Sequence, residues 1–133
     1  MALSTDRATP ERDGHEYSFG VAASTKIYAG ALVALDSSGN ATKGATATGL
    51  RGIGRAEEQV DNSGGSAGDK TIRVRSGTFR FANSSAGDAL ARGDIGATCY
   101  IVDDQTVAKT NGTNTRSAAG KVVGVESDGV WVE

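Results

Sequence analysis

Side chains that could form a catalytic triad are almost absent from this chain. Nucleophilic catalysis needs a nucleophile, a base beside it and a third group that orients the base. His15 is the only histidine among the 133 residues, and it lies in a polar N-terminal segment where we expect solvent around it. Cys99 is the only cysteine and lies in an apolar run without an evident base. These two residues predict no nucleophilic site.

Carboxylates are the abundant candidates for metal binding or acid–base chemistry. Asp103 and Asp104 are adjacent, so their side chains would point apart on a strand, and we expect them to be turn residues. Other aspartates flank glycine-rich loops but lack the Asp-x-Asp-x-Asp-Gly spacing of a calcium loop. They are Asp61, Asp69, Asp88 and Asp94. Gly52-x-Gly54 lacks the third glycine and the following helix of a dinucleotide-binding loop. The sequence therefore predicts a protein that is not an enzyme and uses no metal or cofactor.

The charge pattern argues against two classes of partner. The chain has 16 acidic and 14 basic residues, a net charge of −2 and no basic run, whereas nucleic-acid binding requires a concentrated basic surface. Arg73, Arg75 and Arg80 occupy alternate strand positions and are predicted to form a solvated sheet face. No apolar stretch reaches the length of a membrane span. We expect neither nucleic acid nor a membrane as a partner.

Residues 1–16 differ in character from the rest of the chain. They are polar, contain the only proline and show no hydrophobic period, which predicts a flexible arm. Leu3 is the one sizeable aliphatic side chain of this arm beyond Met1. Alternation begins at Tyr17, and Tyr17, Phe19 and Val21 are predicted to share one face of a first strand. We expect an arm at residues 1–16, followed by a single β domain at residues 17–133.

Short alternating runs separated by turn residues predict an all-β fold, a small barrel or sandwich of about eight to ten strands. Residues 31–35 are almost continuously apolar and suit a strand buried on both faces. Residues 61–69 are rich in glycine and predict a mobile loop. Two hairpins are expected, one across residues 103–105 and one with Asp128-Gly129 as its turn. Alternation places these side chains inside: Ile72, Val74, Phe79, Phe81, Ile101, Val123 and Val125.

The chain contains a loose internal repeat. GALVALD at residues 30–36, ATK at 41–43 and GIGRAE at 52–57 are followed in the second half by GATCYIVD at 96–103, VAK at 107–109 and VVGVE at 122–126. The repeat predicts two β half-units, at about 27–77 and 95–133, that complete one core. Unrelated hairpins of similar composition would give the same pattern, so convergence stays as the alternative.

The order of these motifs resembles a known family. The motifs are Gly30-x-x-Val33-x-Leu35-Asp36, Gly52-Ile53-Gly54-x-Ala56, Ile72-x-Val74-x-Ser76-Gly77, Gly93-Asp94, Cys99-Tyr100, Asp103 and Gly124 followed by Gly129-Val130-x-Val132. Over residues 17–133 this order resembles the small capsid cement, or head decoration, proteins of tailed bacteriophages. The glycine- and serine-rich loop at residues 61–69 departs from that pattern.

The resemblance implies a structural protein of the virion, made in the cytoplasm of the host bacterium. Such proteins bind the exterior of an expanded capsid, commonly as trimers, and bridge subunits of the major capsid protein. The expected partners are therefore the major capsid protein and other copies of this chain, in a homotrimer or alternatively a dimer. Candidate capsid-binding residues are Leu3, Tyr17 and Phe19, in the arm and first strand, and candidate subunit-interface residues are Tyr28 and Trp131.

Two other functions remain open. One is a different phage structural part, such as a tail or fibre module, although a fibre predicts a longer repeat array or a coiled-coil stem. The other is a sugar-binding β module, which needs exposed aromatic side chains on one face. Tyr28, Tyr100 and Trp131 are the candidates for such a face, but we expect each in the core or in a subunit interface.

Overall fold

The computed structural model describes residues 1–10 and 14–133, and the regular secondary structure of this part of the chain is almost entirely β-strand. The strands are β1 (Glu16–Gly20), β2 (Thr25–Ile27), β3 (Leu32–Leu35), β4 (Ala41–Lys43), β5 (Arg51–Ala56), β6 (Val60–Asn62), β7 (Thr71–Arg75), β8 (Phe79–Asn83), β9 (Thr98–Ile101), β10 (Thr106–Ala108), β11 (Ala118–Glu126) and β12 (Gly129–Val132). Two single-turn 3₁₀ helices, Ala86–Asp88 and Arg92–Asp94, lie between β8 and β9. The predicted all-β class is confirmed.

Two short strands were not predicted. β2 and β6 pair with each other, and β6 begins at Val60, so that its last two residues lie within the stretch expected to be a mobile loop. Asn62 at the end of β6 is buried, and its side-chain amide donates to the carbonyl oxygens of Ala22 and Ser66 at 3.0 Å. A polar side chain that satisfies backbone carbonyls in this way fixes a loop that composition alone would leave mobile.

The first half of the body is a five-stranded antiparallel sheet in the order β1-β7-β5-β3-β4. A single parallel bridge between Val21 and Ala41 brings its two ends together. The second half is a closed five-stranded barrel in which β8, β12, β11, β9 and β10 follow one another. A parallel pairing of β8 with β10 closes this barrel, with Asn83 opposite Val107. We name β1–β7 the first half-unit and β8–β12 the second half-unit.

The two half-units share one topology. Strands β1, β7, β5, β3 and β4 have the same order in the first sheet as β8, β12, β11, β9 and β10 have in the barrel. The equivalent strands also follow one another along the chain in the same sequence, apart from β2 and β6, which only the first half-unit carries. Both β5 and β11 carry a bulge against their neighbour, at Ile53 and Ala119 respectively. The closing contacts also correspond, since both are parallel and join the end of the first strand of each half-unit to the fifth.

The strand registers correspond residue for residue. Phe19 lies opposite Ile72 and Phe81 opposite Val130, while Val33 lies opposite Gly54 and Cys99 opposite Gly120. The paired registers make the following residues equivalent: Tyr17 and Phe79, Phe19 and Phe81, Leu32 and Thr98, Gly52 and Ala118, Ile53 and Ala119, Arg55 and Lys121, Val74 and Val132. The equivalent strands include β1 and β8, which lie outside the predicted half-unit boundaries of about 27–77 and 95–133.

The half-units pack through β3, whose apolar run is buried on both faces as predicted. Val33 faces the core of the first half-unit, whereas Leu32 and Ala34 pack into the core of the second. Backbone and side-chain hydrogen bonds cross the same joint, including one from Leu32 N to Asp104 O at 2.8 Å. The hydroxyl of Ser117 also donates to the Ala47 carbonyl oxygen at 2.6 Å. Two small cores are thereby joined into one body.

Most of the predicted core is confirmed, with one error. Ile72, Val74, Phe81 and Ile101 are buried, and Phe79 and Val125 are partly buried. Val123 was predicted inside but is exposed. A second bulge in β11, between Val122 and Gly124, shifts the alternation by one residue and turns Val122 inward instead.

Both predicted hairpins form. β9 pairs with β10 and β11 pairs with β12. In the second hairpin, however, the turn consists of Ser127 and Asp128, and Gly129 is already the first residue of β12. Glycine is required there by space, because a β-carbon on Gly129 would stand 2.7 Å from the carbonyl oxygen of Phe81.

Candidate partner-binding surface

An open apolar cleft lies on the first half-unit. It is lined by Tyr17, Phe19, Ile53, Val74 and Ser76 and has a volume of about 200 Å³. We name it the first cleft. The rings of Tyr17 and Phe19 lie side by side, with centroids 6.4 Å apart and planes tilted by 41°. Such a recess, apolar inside and too shallow for a large ligand, suits a protruding side chain of another protein.

Local backbone geometry explains why these side chains meet. Tyr17 and Phe19 alternate along β1 and so share a face, and Tyr17 pairs with Val74 of β7. Ile53 joins them because it occupies the bulge of β5, where two residues oppose one of β3. Gly54 beside it has φ +147°, and a β-carbon there would overlap the carbonyl oxygen of Arg75. The glycine therefore permits the bulge that places Ile53 in the cleft.

Charged residues near the cleft are neutralised in pairs. Glu57 accepts from Arg75 Nε at 2.7 Å and from Arg55 Nη2 at 2.9 Å. Partial desolvation alone would raise the pKa of Glu57, but the hydrogen bonds from Arg55 and Arg75 outweigh it and hold that pKa below its ordinary value. Arg73 likewise pairs with Glu16 at 3.3 Å. Arg73 and Arg75 are exposed and paired with carboxylates, which fits the predicted solvated face, whereas Arg55 is partly buried.

The candidate residues from the sequence lie in separate places. Tyr17 and Phe19 come together in the first cleft, but Leu3, Tyr28 and Trp131 do not line it. Leu3 is 74% exposed on the arm, of which the described residues 1–10 are all exposed and form no helix or strand. The pairing of β1 extends back to His15, whose carbonyl oxygen accepts from Ser76 N at 2.7 Å. The described arm is therefore surface throughout.

The two predicted subunit-interface residues are at least partly accessible. Tyr28 is 54% exposed, with the Lys26 ammonium nitrogen 4.9 Å from its ring centroid. Trp131 is partly buried, and its indole N–H donates to Glu126 Oε1 at 2.7 Å. The guanidinium of Arg80 lies 5.8 Å from the Trp131 ring centroid. Trp131 is thus already engaged within its own chain, whereas more than half of the Tyr28 side chain stays exposed beside Lys26.

Ile53 and Val74 are cleft residues that the sequence analysis did not assign to partner binding. The signal for Ile53 was present as a β-branched residue between two glycines, which indicates a bulge. The direction of the Ile53 side chain depends on which strand lies opposite the bulge. The order of strands in the sheet decides that, and the local sequence does not show it. Val74 was read as a core residue, and it is buried while also forming the cleft floor.

The residues considered for catalysis or metal binding are buried in the core or take part in turns and ion pairs. Cys99 is fully buried, and this burial raises the pKa of its thiol to about 11. Asp103 Oδ1 accepts from Gln105 N at 2.9 Å, the arrangement of a turn residue. Asp88 holds Arg116 through a 2.8 Å ion pair. Among residues 1–10 and 14–133, no three His, Cys, Asp or Glu side chains gather as metal ligands, and no helix is long and apolar enough to cross a membrane.

Comparison of this chain with protein-family models, with curated proteins and with solved structures finds no match.

Proposed function

We propose that this chain is a non-enzymatic structural protein of a tailed bacteriophage that binds the outside of the expanded capsid and bridges subunits of the major capsid protein. The proposal begins from the order of glycine, valine and aspartate motifs over residues 17–133. On this proposal the protein is made in the bacterial cytoplasm and resides on the exterior of the virion.

The observation that carries the proposal is the exposed arm on a compact doubled β-body. Residues 1–10 are exposed along their whole described length, and Leu3 presents an apolar side chain to solvent. Extended chain covers roughly 3.3–3.6 Å per residue, so ten residues reach about 33–36 Å. Such an arm spans from the body onto a neighbouring capsid subunit. There it can add a strand to a sheet edge, with Leu3 in an apolar pocket.

The stabilising effect follows from mass action. A protein that binds only the expanded lattice lowers the free energy of that lattice and adds nothing to the unexpanded or ruptured state. Several weak contacts from one oligomer also act together, because the second and third contacts form at a high effective concentration. Neither effect requires catalysis or a cofactor.

A head-stability measurement tests this function. DNA-filled heads of the phage that encodes the chain, stripped of this protein, are heated with increasing amounts of purified protein while DNA release is followed by dye fluorescence. We expect the release temperature to rise and then saturate at a fixed ratio of protein to capsid subunit. An unchanged release temperature at saturating protein would contradict the proposal.

A further inference from the structure

The second half-unit has its own apolar cleft at the position equivalent to the first cleft. We name it the second cleft. Phe79, Phe81, Ala119 and Val132 line it, and they are the counterparts of Tyr17, Phe19, Ile53 and Val74. The residual space in the second cleft is about 190 Å³, close to the 200 Å³ of the first. Both half-units therefore build the same recess from the same strand positions.

The two clefts differ in what covers them. Leu32, Gly52 and Ile53 of the first half-unit line the second cleft, together with the linker residues Ser76 and Gly77. The lining of the first cleft, in contrast, comes from the first half-unit and Ser76. The second cleft is an internal interface, and the first cleft is its uncovered counterpart.

Two specific contacts show how the first half-unit covers the second cleft. The guanidinium carbon of Arg55 lies 4.4 Å from the ring centroid of Phe79, within the range of a cation–π interaction. Gly52 packs against Ala119 so closely that a β-carbon on Gly52 would overlap the Ala119 carbonyl oxygen. The covering surface is thus the outer face of β3 and β5, with a cation directed at an aromatic ring.

The second half-unit carries the counterpart of this covering surface, and it is exposed. Thr98, Ala118 and Lys121 occupy the positions of Leu32, Gly52 and Arg55, and all three are exposed to solvent. Lys121 supplies a cation where Arg55 does, and Tyr17 supplies a ring where Phe79 does. Each chain therefore exposes two surfaces that match the two sides of its internal interface. One is the first cleft, and the other is formed by Thr98, Ala118 and Lys121.

We propose that the first cleft binds the second half-unit of another copy of this chain, head to tail, with Lys121 of the other copy over the Tyr17 ring. Thr98 is more polar than Leu32, the Lys121 ammonium is more strongly hydrated than the Arg55 guanidinium, and Ala118 has a β-carbon that Gly52 lacks. The contact between copies is accordingly looser than the internal one and is reversible. Heterologous contacts of this kind close into a ring when the rotation per subunit divides a full turn.

This inference does not rest on the proposed capsid function, because it is tested in solution without heads. Analytical ultracentrifugation of the full chain should show concentration-dependent self-association. Tyr17→Lys places a charge in the first cleft and opposes Lys121. Ala118→Arg adds bulk to the exposed surface of Thr98, Ala118 and Lys121, which we name the tail face. Each should weaken self-association about tenfold or more. Gln59→Lys, at an exposed position that lines neither cleft, is the matched control and should self-associate normally.

Mixing the two weakened variants gives the sharpest result. The Tyr17→Lys chain keeps an intact tail face and the Ala118→Arg chain keeps an intact first cleft, so together they should form a one-to-one dimer that grows no further. Circular dichroism of both variants verifies that they fold. A wild-type chain that stays monomeric at high concentration, or a mixture that stays monomeric, would overturn the inference. Dissociation by Tyr28→Lys but not by Tyr17→Lys would also overturn it and move the interface to Tyr28. Loss of head binding by Tyr17→Lys in a monomeric protein would assign the cleft to the capsid instead.

Discussion

Gly52 packs directly against Ala119, at the joint where the two half-units meet. A β-carbon on Gly52 would overlap the carbonyl oxygen of Ala119, and it would also stand 3.0 Å from the Ala119 α-carbon. Neither of those atoms belongs to a side chain that could rotate away. The joint between the two half-units thus depends on the absence of a side chain at Gly52.

The first prediction follows from this contact. Gly52→Ala should destabilise the protein by about 1–3 kcal/mol, because the added methyl group forces two strands apart. Urea unfolding followed by circular dichroism measures the change. Gly64→Ala is the control, since a β-carbon on Gly64 meets no atom of residues 1–10 and 14–133 within 4 Å, and its stability should stay within about 1 kcal/mol of wild type. Equal stabilities for the two variants would show that the joint is not tight.

The second prediction concerns the bulge in β11. Val122→Ala removes two buried methyl groups and should cost about 2 kcal/mol of unfolding free energy. Val123→Ala changes an exposed side chain and should stay within about 0.5 kcal/mol of wild type. Chemical denaturation of both variants in the same buffer compares their unfolding free energies. A larger loss at Val123 than at Val122 would mean that the bulge is displaced.

These two positions show what the sequence could and could not predict. Hydrophobic alternation identified the all-β class, both hairpins and most of the buried residues, because those properties depend on near neighbours in the chain. It failed at Val123, because a bulge adds one residue and reverses the inward face for part of the strand. The sequence predicted only two of the residues that line the first cleft as partner-binding residues. Tyr17 and Phe19 alternate visibly, whereas Ile53 joins them through the order of strands in the sheet.

The third prediction concerns the buried thiol of Cys99. Its pKa is raised from 9.0 in a free thiol to about 11 by burial. Between these two values the unfolded chain releases a proton that the folded chain keeps, so stability falls as pH rises, by up to about 3 kcal/mol. Below pH 9 this group has no effect on stability. Cys99→Ala should remove that part of the alkaline slope when unfolding free energies are measured from pH 8 to pH 11. An identical slope in the variant would contradict the assignment.

The fourth prediction concerns the acid limit of stability. Hydrogen bonds from Thr110 and Arg116 lower the pKa of Asp88 below the ordinary value of 3.8. A lowered folded-state pKa gives stability that is complete above the unfolded value and is lost as pH falls through the folded value. Asp88→Asn should therefore lower stability at neutral pH and flatten the acid limb of the stability curve. Thermal unfolding between pH 2 and pH 7 measures both effects.

Asp128→Asn is the matched control for Asp88. Asp128 also pairs with an arginine at 2.8 Å, but its side chain is 58% exposed, whereas that of Asp88 is 30% exposed. Exposed ion pairs contribute little to stability. Asp128→Asn should therefore change the unfolding free energy at neutral pH less than Asp88→Asn does. A larger effect at Asp128 than at Asp88 would contradict the account of this pair.

The fifth prediction concerns the arm. Deletion of residues 2–10 removes only exposed side chains, so the unfolding transition should be unchanged. Binding to expanded heads at limiting protein concentration should fall severalfold. Leu3→Ser should reproduce much of this loss, and Thr9→Ala, a change at another exposed position of the arm, should not. Equal occupancy by the truncated and intact proteins would show that the arm has no part in binding.

Co-sedimentation tests most directly the proposed binding of this protein to the outside of an expanded phage head. Purified protein is mixed with expanded heads and, separately, with unexpanded proheads of the phage that encodes the chain, and each sample is pelleted through a cushion. The account predicts saturable co-sedimentation with expanded heads and little with proheads. Absence of the protein from the pellet of expanded heads at saturating concentration would contradict it.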